Sequence, residues 1–121
     1  MNFIFDNDRP IYVQLVEQVK LYIVSGTLAA GSRLPSVREL ALQTQVNPNT
    51  MQKALTELEN EKLIYTERTN GKFVTQDEQL ILKVRQELAQ QKVETFLADM
   101  QKLGITKKEA VSYLQKLGEE E

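Results

Sequence analysis

The sequence predicts a mostly α-helical chain carrying one small α+β wing. A winged helix-turn-helix domain over residues 1–75 is followed by a two-helix extension over residues 76–121. Three observations predict this architecture. Two helix-start signals, Ser36-Val37-Arg38-Glu39 and Asn47-Pro48, stand in close succession. Two short β-prone runs follow, separated by a segment ending in Asn70-Gly71. Helical periodicity resumes after Gln76. A length of 121 residues accommodates one domain, or one small domain with an appendage.

The first helix is expected from about Pro10 to Ser25. Asp8 is placed to cap its start, and a proline in the first turn costs nothing where the N–H has no partner. Ile11, Leu15, Val19 and Ile23 recur every four residues, with Tyr12, Val16 and Tyr22 widening the stripe. Gly26 is a stop signal, and Ala30 through Pro35 is a turn-rich connector. Ser36 and Glu39 have the S-x-x-E form of a capping box, which starts a second helix at Ser36. That helix should end near Gln43 or Thr44, with Leu40 and Ala41 facing inward. Asn47 as cap and Pro48 at the first helical position open a third helix, which runs to about Glu61. Met51, Ala54, Leu55 and Leu58 share one arc. At about 100° per residue, Asn49, Gln52, Lys53, Thr56 and Asn60 fall on or flank the opposite arc.

Leu63–Glu67 and Lys72–Thr75 read as two strands joined by Arg68-Thr69-Asn70-Gly71, because Asn-Gly between β-prone runs is a strong hairpin signal. Two strands do not stand alone in water, so the hairpin should pack on the helices. After the polar break Gln76–Gln79, Leu80, Ile81, Val84 and Leu88 lead into Val93, Phe96, Leu97, Met100 and Leu103. The pattern is interrupted at Gln90-Gln91-Lys92, which leaves open whether the helix is continuous or kinked. Gly104 ends it, and Thr106-Lys107-Lys108-Glu109 is a second capping box opening a helix with Ala110, Val111, Leu114 and Leu117. The only low-complexity segment is the short acidic tail Glu119–Glu121.

Cysteine, histidine and tryptophan are absent, which excludes disulfide scaffolds, the usual zinc sites and Ser-His or Cys-His catalysis. Carboxylate or lysine chemistry is the only catalytic option left, and Glu57, Glu59 and Glu61 read better as a solvated helix end. No enzymatic activity, cofactor or metal is therefore expected. No apolar run reaches the roughly 18–20 residues of a membrane span, and MNFIFDNDRP lacks the basic and apolar regions of a signal peptide. A cytoplasmic protein with no membrane partner is expected.

The net charge of −2 argues at first against nucleic acid, whose binders carry a basic footprint. Its distribution argues otherwise. Residues 33–53 hold Arg33, Arg38 and Lys53 against Glu39 alone, and residues 68–72 hold Arg68 and Lys72 without an acid. Residues 76–121 carry seven basic and nine acidic side chains. The third helix is polarised in the same way. Its first half shows Asn49, Thr50, Gln52 and Lys53 and no carboxylate, whereas Glu57, Glu59 and Glu61 crowd its far end. A helix that enters the major groove must present polar groups to base edges and keep carboxylates from phosphate. The polarity thus implies entry by the N-terminal end, which also carries the positive pole of the helix dipole. Arg38, in the first turn of the preceding helix, is placed for a phosphate or a guanine. Arg68, Asn70, Gly71 and Lys72 are placed for the backbone or the minor groove.

At these residues the chain resembles the GntR family of bacterial transcription regulators. Gly31-Ser32-Arg33-Leu34-Pro35-Ser36-Val37-Arg38-Glu39-Leu40-Ala41 is similar to that family's G-x-x-LPS-x-R-x-LA signature, and the likeness continues through Val46–Leu58 to Gly71-Lys72-Phe73-Val74. It covers about residues 9–75. The short extension is similar to the YtrA subfamily, in which it serves dimerisation. The resemblance implies DNA contacts by Arg38, by the residues opening the third helix and by the wing glycine; with Arg33, Ser36 and Asn47 these complete the expected DNA-binding set. Two departures stand out. Pro48-Asn49-Thr50 lacks the arginine that many relatives place before the threonine. Thr69-Asn70-Gly71-Lys72-Phe73-Val74 lacks the first glycine of the family's G-x-G-T-F-V. The docking mode therefore carries over, and family operator sequences do not.

The extension of 46 residues is too small for its own core and a deep metabolite pocket, yet it shows a long apolar stripe. A second copy is expected to cover Leu88, Val93, Phe96, Leu97, Met100, Leu103, Val111 and Leu114, giving a homodimer matched to a palindromic operator in double-stranded DNA. Such a protein would act as a repressor by occupying a promoter. No residue cluster marks a small-molecule effector site. The alternative is a protein-interaction module that uses the winged helix as a scaffold without binding DNA.

Overall fold

The computed structural model describes residues 1–119; Glu120 and Glu121 of the acidic tail lie outside the described residues. The elements are α1 (Ile11–Val24), α2 (Val37–Thr44), α3 (Pro48–Asn60), β1 (Ile64–Glu67), β2 (Gly71–Val74), α4 (Glu78–Lys102) and α5 (Lys107–Glu119). They form two compact units, Met1–Arg85 and Gln86–Glu121.

In the first unit the apolar stripes of three helices converge. Leu15, Val19 and Ile23 of α1, Leu40 and Ala41 of α2, and Met51, Ala54, Leu55 and Leu58 of α3 are buried together with Leu34, Leu63, Ile64 and Val74. Leu80, Ile81 and Val84 at the start of α4 pack against this core. The helix pair is delimited by the expected signals. Ser36 Oγ accepts the Glu39 N–H at 3.1 Å, and Asn47 Oδ1 accepts the Asn49 N–H at 2.8 Å with Pro48 leading the helix. Between them Gln45 takes a left-handed conformation (φ 57°), and the Val46 N–H returns to the Ala41 carbonyl at 3.0 Å. This closes the carbonyl end of α2 within a single residue.

The start of α1 differs from expectation. Pro10, not a first-turn residue, occupies the cap position, and no side chain caps the helix. Asp8 instead donates its own N–H to Asp6 Oδ1 at 3.1 Å. The reason lies upstream, where the chain runs beside α1 and is bound by its side chains. Gln14 bonds both backbone groups of Asp6, Gln18 both of Ile4, and Tyr22 both of Asn2. Two extended residues advance about 6.6 Å and four helical residues about 6 Å, so an every-second-residue ladder meets an every-fourth-residue ladder almost in step. Phe3 and Phe5, on the alternate positions, pack against the core.

The hairpin forms with Ile64 opposite Val74 and Glu67 opposite Gly71. A two-residue Asn70-Gly71 turn would need positive φ at both positions, but of the two only Gly71 has it (φ 98°). The loop is Arg68-Thr69-Asn70, closed by the Asn70 N–H to the Glu67 carbonyl at 3.2 Å. The connector joins this sheet. Leu34 N–H bonds the Lys72 carbonyl at 2.8 Å and Val74 N–H the Ser32 carbonyl at 2.9 Å, an antiparallel bridge centred on Arg33 and Phe73. What reads as a turn-rich connector is thus a third, very short strand on the wing.

In the second unit α4 is helical through Gln90-Gln91-Lys92, where the apolar pattern lapses. The Thr106 box is complete: Glu109 N–H bonds Thr106 Oγ1 and Thr106 N–H bonds Glu109 Oε1, each at 3.2 Å. Ala110 is fully buried in this unit.

Candidate nucleic-acid interface

The N-terminal half of α3 carries no acid in its first turn, and Asn49, Gln52 and Lys53 are exposed on it while Thr50 is half-buried. Gln52 Nε2 donates to Thr56 Oγ1 at 3.1 Å, one helical turn along, which holds its amide in line with the helix. Lys53 is held too. Its Nζ lies 3.8 Å from the centroid of the Tyr12 ring on α1, within cation–π range. Nothing in the spacing marks Tyr12 for this role; it reads there as a margin of the apolar stripe. Ser36 and Asn47 stand at the two helix starts with their side-chain oxygens engaged in capping.

The cations expected to meet DNA fall into two groups. Among the described residues Arg33, Arg38, Lys53 and Arg68 are exposed and make no ion pair. Arg38 stands in the first turn of α2, and Arg68 begins the wing loop. Arg33 pairs with Phe73 and its side chain reaches the outer rung of the wing: a Cβ on Gly71 would meet its Nε at 3.4 Å. Lys72 behaves differently. Its ammonium pairs with Glu59 of α3 and donates to Thr66 Oγ1 at 3.0 Å, leaving its side chain 15% exposed. Asn70 Nδ2 bonds Glu67 Oε2 at 3.0 Å, bracing the loop.

The far end of α3 is not the solvated acidic end expected. Glu59 is held by Lys72 and Thr66, and Glu61 pairs with Lys20 of α1 at 2.8 Å. Burial pushes the Glu59 carboxyl up. The hydrogen bonds from Lys72 and Thr66, with the charge of Lys72, outweigh that and hold it below its ordinary value. Glu57 is left exposed there without an ion pair among the described residues.

In the second unit, a groove of about 330 Å³ is lined by Val93, Phe96, Leu97, Ala110, Val111 and Leu114, with Lys92 and Lys107 beside it. Val93, Leu103, Val111 and Leu114 are exposed, as are Tyr113 and Leu117. Leu88, Phe96, Leu97 and Met100 are half-buried.

A capped helix pair whose second helix is acid-free where it starts, closed by a hairpin whose loop opens on the unpaired Arg68, defines a winged helix-turn-helix DNA-binding domain. Residues 11–74 match the family described as "Bacterial regulatory proteins, gntR family". The chain is 37% identical over 105 residues to the HTH-type regulator YhcF of Bacillus subtilis, covering 87% of each. It is 42% identical over 71 residues to the transcriptional repressor YtrA of the same organism, covering 59% of this chain and 55% of that one. A GntR family regulator from Listeria monocytogenes superposes with a TM-score of 0.87 at 44% identity, covering 93% of this chain and 98% of that one. The DNA-binding domain of AraR in complex with operator ORX1 has a TM-score of 0.57 at 26% identity, covering 62% and 96%. The chain belongs to the GntR family, with YtrA-like relatives, and is a DNA-binding transcriptional regulator. Among the described residues no helix is long and apolar enough to cross a membrane.

Proposed function

We propose that the chain is a cytoplasmic, dimeric repressor without catalytic activity. It reads a palindromic operator with the helix that starts at Asn47 and steadies itself on the adjacent backbone with the wing at Arg68–Lys72. One observation carries the DNA-facing assignment. The carboxylates of α3 and its cap all lie at the C-terminal end, two of the three neutralised by lysines, while Arg33, Arg38, Lys53 and Arg68 have no ion-pair partner among the described residues. Phosphate is the natural counter-ion for cations left in that state. The Asn49 and Gln52 amides offer an acceptor and a donor that complement the N6–H and N7 adenine presents in the major groove, and Lys53 suits guanine. The similarity to the repressor YtrA, and to AraR bound to its operator, supports the same reading.

The dimer rests on the apolar side chains of α4 and α5, which need a cover that the second unit does not itself provide. Two copies related by a dyad would place two recognition helices on half-sites about one helical turn apart or a multiple of it. Selection of duplexes from a random pool tests both parts. Enrichment of two inverted half-sites is the expected result. No enrichment, or a single site without symmetry, would refute it.

A further inference from the structure

Lys72 and Glu59 form a contact that direct DNA binding does not explain. The two strands of the wing put Thr66 and Lys72 opposite each other. Both then converge on one oxygen of α3. Thr66 Oγ1 donates to Glu59 Oε1 at 2.7 Å, Lys72 Nζ donates to the same oxygen, and Lys72 Nζ donates to Thr66 Oγ1 at 3.0 Å. The result is a closed ring of three side chains from three elements, with Lys72 15% and Glu59 30% exposed.

Its location gives it a purpose. The base of the hairpin is secured by Ile64 and Val74 in the core, and the Tyr65 and Phe73 rings stack at 5.5 Å one rung further out. Thr66 and Lys72 form the next rung, after which only Glu67 opposite Gly71 precedes the Arg68-Thr69-Asn70 loop. A two-stranded ribbon is marginal by itself, so its outer rungs need a separate anchor to hold a fixed angle to α3. We propose that the Glu59–Thr66–Lys72 ring is that anchor: it locks the wing to the recognition helix so that Arg68 and the start of α3 reach DNA as one rigid body, with Lys72 acting as a positioning residue and not as a phosphate ligand. This rests on the DNA-binding reading above.

The sign of one substitution separates the two roles. Glu59→Ala deletes a negative charge and frees a lysine, which by electrostatics alone tightens binding to a polyanion. If the ring positions the wing, the same change weakens binding. A wing correctly placed for only about a third to a tenth of the time weakens it about three- to tenfold. Alanine is the best helix former, so α3 itself is not compromised. Glu59→Asp keeps the charge but shortens the reach by one methylene, and should weaken binding in the same direction.

The experiment measures the affinity of full-length protein for a selected operator duplex by fluorescence anisotropy across a salt series. Wild type is compared with Glu59→Ala, Glu59→Asp, Lys72→Met and Arg68→Met. Removing a single phosphate-neutralising cation flattens the plot of log K against log salt by about 0.9. Arg68→Met should flatten it in this way, whereas Lys72→Met should weaken binding with the wild-type slope. Backbone 15N relaxation of residues 68–71 in the free Glu59→Ala protein should show increased motion. The proposal is overturned if Glu59→Ala binds as well as wild type or better, if Lys72→Met flattens the slope as Arg68→Met does, or if the loop is no more mobile. Wild-type protein that binds no selected duplex would instead defeat the DNA-binding reading itself, and the anchor with it.

Discussion

Leu114 on α5 offers the sharpest test of the dimer, because its state in the single chain sets the size of the effect. It lines the groove between α4 and α5 and keeps 52% of its surface exposed. Burying a whole leucine side chain is worth about 1.5–3 kcal/mol, so the uncovered half has about 0.8–1.5 kcal/mol left to gain. A two-fold interface counts each residue twice. Leu114→Ala should therefore weaken dimerisation by about 1.5–3 kcal/mol, roughly 10- to 140-fold in the dimer dissociation constant. Sedimentation velocity over a dilution series reads this directly, with circular dichroism confirming that the helices remain. Lys116→Ala, an exposed change two residues along, serves as the comparison and should leave the constant alone. A Leu114→Ala protein that dimerises like wild type, or a wild type that is monomeric at every concentration, would show that this face is not the dimer interface. If the interface is right, the variant should also lose operator affinity at concentrations where it has become monomeric, because the two half-sites no longer share one bound molecule.

Four further outcomes are expected. A double-mutant cycle of Tyr12→Leu and Lys53→Met, read by urea unfolding, should give a coupling of about 0.5–1 kcal/mol; Tyr12→Phe should retain the coupling, and its loss there would mean that the hydroxyl and not the ring face matters. Gln52→Ala should cost about 1–3 kcal/mol in operator binding and relax preference at one position, whereas a uniform loss across sequences would place Gln52 on the backbone. Gln45→Val should destabilise the fold by about 1–2 kcal/mol, because a β-branched residue resists the left-handed conformation at the α2–α3 turn; a neutral result in urea unfolding would show that the turn adopts another geometry. The Glu59 carboxyl is held below its ordinary value of 4.5 by Lys72 and Thr66 against the opposing effect of burial, so its contribution is complete above the unfolded value and disappears as pH falls through the folded one. A 13C titration of that carboxyl should give a midpoint below that of glutamate in the unfolded chain, and a midpoint above it would contradict the ring.

The parts of the fold that were legible are those encoded by neighbours in sequence. Ser36, Asn47 and Thr106 each announce a helix with a side chain that bonds two or three residues ahead, and each does so in the structure. The buried arc Met51, Ala54, Leu55, Leu58 follows directly from helical period. Contacts across long stretches of chain have no such period. The Gln14–Gln18–Tyr22 ladder, the pairing of Ser32–Leu34 with the wing, and the contacts Tyr12–Lys53, Lys20–Glu61 and Glu59–Lys72 all depend on where two elements meet in space. The hairpin shows the boundary between the two kinds of information. Asn70-Gly71 marks a turn locally, but strand register decides that Gly71 lies opposite Glu67 and that the loop has three residues.

These long-range pairs also resolve how a chain with net charge −2 can present a surface to a polyanion. Total charge counts each carboxylate equally, but phosphate responds to the charges within about a Debye length, roughly 8 Å at physiological salt. Lys20 and Lys72 are engaged inside the winged unit by Glu61 and Glu59, two of the three acids at the end of α3. That arrangement withdraws Lys72 from the basic wing, which looks wasteful until the geometry is considered. A lysine on a flexible stem contributes one screened contact, whereas a neutralised carboxylate removes a repulsion, and in the case of Glu59 the same bond also fixes the hairpin. Of the cations expected to meet DNA, those without an ion pair among the described residues are Arg33, Arg38, Lys53 and Arg68, three of them arginines, whose planar donors suit phosphate and guanine edges. Local pairing, more than net charge, therefore decides which of these cations stay free of an ion pair.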